Sequence, residues 1–337
     1  MGNIGGPLFA RYGGMKSLHD GQCVGRGVIR SRDIIRSRDM RNGRVFIDGA
    51  LVGPGEARIS VFDRGFLYGD QVFETLRVYD GVPFALKAHL DRLDGSAERI
   101  GLVLPWKGGH IEEAARRTLA AAGLEQATMR IMVTRGGGPM VHDPTQAEDP
   151  ALIVLVLELP ALPAEIYSHG LTASLVAAPQ MAAGTLVDPG AKTGNYLRNV
   201  LAAGQARRRG AREAIMLASD GRVAEASAAN VFARIDGIWC TPTIDTGILP
   251  GITRKTILRC CAEASIEAVE RPLWPDDLAR ADELFLCASV REVVPIVELD
   301  SRPVGEGIVG PQTRRITQLY RAEVRRYIGT QALTSGE

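Results

Sequence analysis

Five lysines stand against thirty-five arginines in this 337-residue chain, so the candidates for an amine nucleophile are few. Lys16 falls in an unpatterned N-terminal stretch, Lys107 in a Gly-rich loop, and Lys87 and Lys255 beside helix starts, where solvated lysines are common. Lys192 differs. It lies in "GAKTGNYLRN", with small neighbours Ala191, Thr193 and Gly194, just ahead of a helical pattern. A positive helix end and loss of water both disfavour the ammonium, which moves a lysine toward the neutral amine that adds to carbonyls. A lysine before a helix is more often a plain surface residue, so this one needs company. Glu225 in "EASAANVF" is a carboxylate ahead of an apolar strand, and a solvated turn residue reads equally well there. In "ILPGITR", Pro250-Gly251 bends the chain and Ile252-Thr253 open a helix whose free N–H groups could hold an anion, or simply be well capped. Arg92 in "HLDRL" sits on a helix face, where it is either solvated or available for a forked pair with phosphate.

Other chemistries drop out. There is no HExxH and no GxSxG, and the five histidines have no metal-ligand spacing, so zinc and serine-hydrolase chemistry are not expected. "GAKTGN" is no phosphate loop, because Ala191 separates glycine from lysine and no strand of the usual pattern leads into it.

These residues need elements to position them. "VFIDGALV" reads as two short strands around Asp48-Gly49, a dipeptide suited to a two-residue hairpin turn. Leu90, Leu93, Ala97 and Ile100 fall at helical spacing, and Met129 to Thr134 and Ala151 to Leu157 read as strands. Beyond "LPALPAE", hairpins with DG turns alternate with helices near Asn195 to Arg209 and Ile252 to Ala264, then the strand "ELFLCAS" and a C-terminal helix. Repeated hairpins among helices predict a mixed, largely antiparallel, barrel-like domain. The expected division is an unstructured extension over 1–44, a small α+β domain over 45–159, a linker at 160–166, a larger pseudo-barrel domain over 167–330 and a tail at 331–337. The extension carries "IRSRD" twice, and Met40 is a candidate start because patterning begins just after it.

Forty basic against thirty-nine acidic residues leave no field to draw the chain onto nucleic acid or an anionic membrane. The longest apolar run is far short of the roughly 20 residues of a membrane helix. Five scattered cysteines without a CxxC pair point to a reducing cytoplasm and no structural metal. The expected partner is a small molecule.

In order, "SVFDRGFLYGDQVFETLR", "HLDRL", "AKTGNYLRN", "EASAANVF", "ILPGITR" and "CASVREVVP" resemble the class IV aminotransferases, the fold-type IV enzymes of pyridoxal 5'-phosphate. That resemblance implies an α+β two-domain fold, with the cofactor between a small α+β domain and a larger pseudo-barrel domain. It also implies roles. Lys192 matches the catalytic lysine that binds the cofactor and moves the proton at the substrate Cα. Glu225 matches the carboxylate facing the pyridine nitrogen, and Tyr196 the tyrosine on the ring's phenolic oxygen. Arg92, Ile252, Thr253 and Ser289 match the phosphate cup. Tyr68, Thr75, Arg130 and Val290 match substrate-pocket positions.

Within the family, "FLYGD" and "DPGAKTGNYLRN" resemble compact branched-chain aminotransferases. Two positions depart: Thr75 stands where those enzymes usually have glycine and aminodeoxychorismate lyases a threonine that assists proton transfer, and Thr128 stands where many have a pocket tyrosine. Met140, two before His142, replaces the arginine of D-amino acid aminotransferases. The resemblance therefore implies transfer from a branched-chain or aliphatic L-amino acid to 2-oxoglutarate, with aminodeoxychorismate lyase as the alternative. A D-amino acid enzyme and a non-enzymatic relative rank below. The family usually forms homodimers in which pocket residues cross between subunits.

Overall fold

Short apolar-patterned strands between residues 43 and 158 build the first sheet. Strands β1 (Gly43–Ile47) and β2 (Ala50–Val52) form the expected hairpin, with Ile47 opposite Ala50. Its turn residues Asp48 (φ 45°) and Gly49 (φ 96°) occupy the left-handed region that a two-residue turn of this hand demands. Helix α1 (Arg64–Tyr68) leads to β3 (Gln71–Tyr79) and β4 (Val82–Pro83), then helices α2 (Leu86–Arg99) and α3 (His110–Ala122), and strands β5 (Ala127–Thr134) and β6 (Leu152–Glu158). The sheet order is β2-β1-β6-β5-β3-β4, antiparallel throughout. One face packs Val72, Leu76, Val78, Met129, Ile131 and Val156 against Leu93, Ala97, Ala115 and Leu119 of α2 and α3. By alternation Phe73, Thr75 and Arg77 of β3 project from the other face, beside Thr128, Arg130 and Met132 of β5. The computed structural model describes residues 42–106, 109–159, 163–180 and 188–334.

The rest of the chain builds a second, mixed sheet. Its elements are helix α4 (Glu165–Ser168), β7 (Leu171–Gln180), α5 (Leu197–Arg208), β8 (Glu213–Ala218), β9 (Val223–Ala226), β10 (Asn230–Ile235) and β11 (Ile238–Thr241). Then follow α6 (Ile252–Glu263), β12 (Ala268–Glu270), α7 (Pro275–Ala279), β13 (Glu283–Ala288), β14 (Glu292–Leu299), β15 (Arg302–Pro303) and α8 (Pro311–Thr334). The order is β12-β11-β10-β13-β14-β7-β8-β9, with β15 on β14. Pairs β14·β7, β7·β8 and β11·β12 are parallel and the others antiparallel. An isolated bridge between Ala226 and Ala229 brings β9 back beside β10, so the sheet curls round an interior of Ile215, Val231, Ala233, Leu284, Leu286 and Ile296. Outside it, Phe232, Trp239 and Phe285 pack under Ile257 of α6 and Tyr320 of α8. This is the mixed barrel-like sheet that the hairpin pattern predicts.

Three expected boundaries move. Gly43 and Arg44, placed in the extension, pair with Leu157 and Val156 and so belong to β1. Glu165 and Ile166, placed in the linker, begin α4, and residues 160–162 lie outside the described residues. Helix α8 runs to Thr334 through the start of the expected tail. The extension up to residue 41 and the residues after 334 lie outside the described residues. Both sheets belong to one compact unit.

Candidate active site

Backbone hydrogen bonds tie the segment before α5 to the edge of β3. Phe73 N donates to Lys192 O at 3.0 Å, and Gly194 N to Gln71 O at 3.0 Å. Lys192 N donates to Ser96 Oγ on α2 at 3.1 Å. Lys192 is thus fixed where the two sheets meet, and its side chain enters a cavity of about 360 Å³. Its Nζ lies 2.7 Å from Tyr196 Oη and 4.5 Å from the centre of the Phe73 ring. Burial, helped by the nearby Arg92 guanidinium, pushes the ammonium down to about 8. Burial and the Glu225 charge push the Tyr196 phenol up to about 12. A buried amine with a low proton affinity beside a neutral phenol is equipped to add to a carbonyl and to carry a proton.

One end of the cavity is built for an anion. Helix α6 starts there, and its cap residue Gly251 offers no side chain to the first-turn N–H groups of Ile252 and Thr253, which have no acceptor within the helix. Gly251 is required by space: a Cβ there would sit 1.9 Å from Asn230 Oδ1. Arg92 and Ser289 complete this end. The sequence leaves Arg92 either solvated or forked onto phosphate, and the structure shows neither. The fork grips Glu74, with Nε to Oε1 and Nη2 to Oε2 both at 2.7 Å, and Nη1 reaches Pro250 O at 3.0 Å. Arg92 therefore lends the anion end its charge and an edge of its guanidinium.

Glu225 also lines the cavity. It is half-buried on β9, and its Oε2 accepts from Leu249 N at 3.0 Å and Asn230 Nδ2 at 3.4 Å, which decides against a solvated turn residue. Arg130 reaches in from β5 with its guanidinium 3.9 Å from the Phe73 ring centre, and Thr75 lines the wall with a buried Oγ1 that has no hydrogen-bond partner. Lys192, Arg92, Tyr196, Glu225, Ile252, Thr253, Ser289, Thr75, Arg130 and Val290 all line this one cavity. Tyr68 does not. It ends α1 with its ring edge on His142, 5.6 Å between centroids, and Arg64 5.0 Å from its centre.

Sequence reasoning missed Phe73, Asn230 and the pair Glu74 and His89. The signal for the last two was present: alternation along β3 places Glu74 among the apolar residues Val72 and Leu76, where a carboxylate must find hydrogen-bond donors. The His89 imidazole and the Arg92 guanidinium, three apart on α2, supply them.

A family model described as amino-transferase class IV matches residues 71–299. The chain belongs to the class IV aminotransferases. It is 36% identical over 278 residues to a Methanocaldococcus jannaschii protein described as a branched-chain-amino-acid aminotransferase, covering 82% of this chain and 95% of that protein. It is 32% identical over 276 residues to the D-alanine aminotransferase of Staphylococcus aureus, with coverage of 82% and 95%. Among solved structures, the T.th. branched-chain amino acid aminotransferase complexed with N-(5'-phosphopyridoxyl)-L-glutamate superposes with a TM-score of 0.79 at 29% identity, covering 85% of this chain and 95% of that one. Class IV aminotransferases use pyridoxal 5'-phosphate, and the chain is a transaminase of the fold-type IV architecture. The cavity fits that cofactor, with free helix N–H groups and an arginine for the phosphate at one end and an amine of lowered proton affinity within the same walls.

Proposed function

We propose that this class IV aminotransferase moves the amino group of a branched-chain or other aliphatic L-amino acid to 2-oxoglutarate. The observation that carries the reading is Lys192 Nζ held 2.7 Å from Tyr196 Oη in a cavity whose other walls hold the helix N-terminus and Glu225. When bound, pyridoxal phosphate supplies a carbonyl that takes up the amino group and a ring that delocalises charge from the substrate Cα. Lys192 holds the cofactor and carries the proton to and from that carbon. Glu225 keeps the ring nitrogen protonated, and Tyr196 donates to the phenolic oxygen. Arg92, Ile252, Thr253 and Ser289 hold the phosphate. The Arg130 guanidinium, which has no carboxylate partner among the described residues, suits the distal carboxylate of 2-oxoglutarate, and Val290 and Thr75 bound the substrate.

We assign Tyr68 to the cavity of a second copy. Phe66, Met140, Leu197 and Val200 are each more than 60% exposed, and contacts of Tyr68 with His142 and of Asn195 with Gly69 join their segments into one surface. A homodimer that buries this surface is the arrangement we propose. The four cysteines among the described residues are all free, which fits a reducing cytoplasm.

Thr75 favours one second reading. Its orphaned hydroxyl at the cavity wall could pass a proton in aminodeoxychorismate lysis, and a buried hydroxyl without a partner costs about 1–3 kcal/mol unless a ligand satisfies it. Spectra of the yellow holoenzyme decide between the readings. L-valine or L-leucine should convert it to the pyridoxamine form, and 2-oxoglutarate should restore it. Conversion by D-alanine but not by the L-amino acids would overturn the proposed substrate. Pyruvate release from aminodeoxychorismate with no response to any of these amino acids would establish the lyase.

A further inference from the structure

Behind the anion end of the cavity lies a chain of hydrogen bonds that none of the roles above uses. Glu74 is fully buried, and its Oε2 is 2.7 Å from His89 Nδ1. His89 is fully buried too, and its Nε2 faces Ser289 Oγ at 3.5 Å. A carboxylate flanked by Arg92 is ionised and can only accept, so Nδ1 must carry a hydrogen. The state of Nε2 is then the one variable, and it decides which way the Ser289 hydroxyl points. With Nε2 bare, Ser289 donates to the imidazole and turns lone pairs toward the cavity. With Nε2 protonated, Ser289 accepts from it and turns its own hydrogen toward the cavity.

We propose that His89, oriented by Glu74, is a positioning residue that takes up a proton from solvent when phosphate occupies the cavity, and so turns the Ser289 hydroxyl into a donor to the phosphate. This rests on the assignment of Ser289 to the phosphate cup. The charged groups that face His89 are Glu74 on β3, Arg92 on its own helix and Lys192 from the segment before α5. Before phosphate binds, burial and the two cations keep the imidazole neutral against the pull of Glu74. A phosphate dianion beyond Ser289 offsets the cations and rewards the hydroxyl that donates. The proton balance is simple: one proton leaves the buffer, binds Nε2, and no other covalent bond changes.

The test compares pyridoxal phosphate with pyridoxal, which lacks the phosphate, on the cofactor-free protein. Calorimetry at pH 7.5 to 8 in two buffers of different ionisation enthalpy reads proton uptake, and free phosphate monoester, with its second pKa about 6, contributes little there. The wild type should take up more protons with pyridoxal phosphate than with pyridoxal, and the preference for the phosphorylated form should fall about tenfold between pH 7 and 9.5, the loss of one charged hydrogen bond. His89→Gln places a neutral amide donor at the Nε2 position, so it should keep the preference, abolish the extra proton uptake and flatten the pH profile. Equal proton uptake with both ligands, or a profile unchanged in His89→Gln, would overturn the proposal. Ser289→Ala separates this from the reading beneath it: a preference for the phosphorylated form that survives Ser289→Ala undiminished removes Ser289 from the cup itself.

Discussion

Glu74 accepts three hydrogen bonds on a fully buried carboxylate, and the balance is decided by its partners. Burial alone would raise its pKa, but the bonds from Arg92 and His89 outweigh it and hold the carboxyl at about 2 against an ordinary 4.5. Because the folded value is the lower one, the contribution to stability is complete above pH 4.5 and is lost as pH falls toward 2. It amounts to about 3 kcal/mol. Glu74→Gln should therefore cost about 3–5 kcal/mol at pH 7, and the gap to wild type in denaturant unfolding should narrow as pH falls from about 5 to about 2. A gap independent of pH would contradict this balance. At this scale the sequence singled out Lys192, because lysines are scarce, and the family blocks pointed to Glu225, Ile252, Thr253 and Ser289, all of which line the same cavity. It did not show that Arg92 commits its fork to Glu74, since that pairing joins two elements eighteen residues apart through a register no single segment reveals.

Elements were legible wherever the local pattern was strong: the hairpin at Asp48-Gly49, strands β5 and β6, and helices α2, α5 and α6 all follow from spacing and turn residues. Their ends were not, because pairing partners set them. Gly43 and Arg44 are strand only through Val156 and Leu157, and the residues from 331 to 334 stay helical as the continuation of α8. The start of α6 depends on its glycine cap, Gly251. In Gly251→Ala the new methyl meets Asn230 Oδ1, which also neighbours Glu225 through its amide, so the cap must shift and both ends of the cavity with it. Expected are a stability loss of about 1–3 kcal/mol and a weaker hold on pyridoxal phosphate, read by thermal unfolding with and without cofactor. An unchanged cofactor affinity would show that the helix start does not hold the phosphate.

The cavity exists only because two sheets of different topology meet, with Arg77 and Tyr79 of β3 bonded to Glu292 of β14 and Lys192 stitched to β3. The proposed homodimer would extend this logic to a second copy through the exposed apolar residues Phe66 and Val200. Val200→Glu should shift the protein from dimer to monomer in sedimentation and, by withdrawing Tyr68 from the partner's cavity, cut turnover at least tenfold while leaving the fold intact by circular dichroism. A fully active monomer would refute the crossing of Tyr68. Every proposed role in the cavity depends on Lys192 bonding the cofactor. Borohydride reduction of the holoenzyme, followed by peptide mass spectrometry, should place one pyridoxyl phosphate group on the peptide containing Lys192 and none in Lys192→Ala. A label on any other lysine, or no label at all, would contradict it.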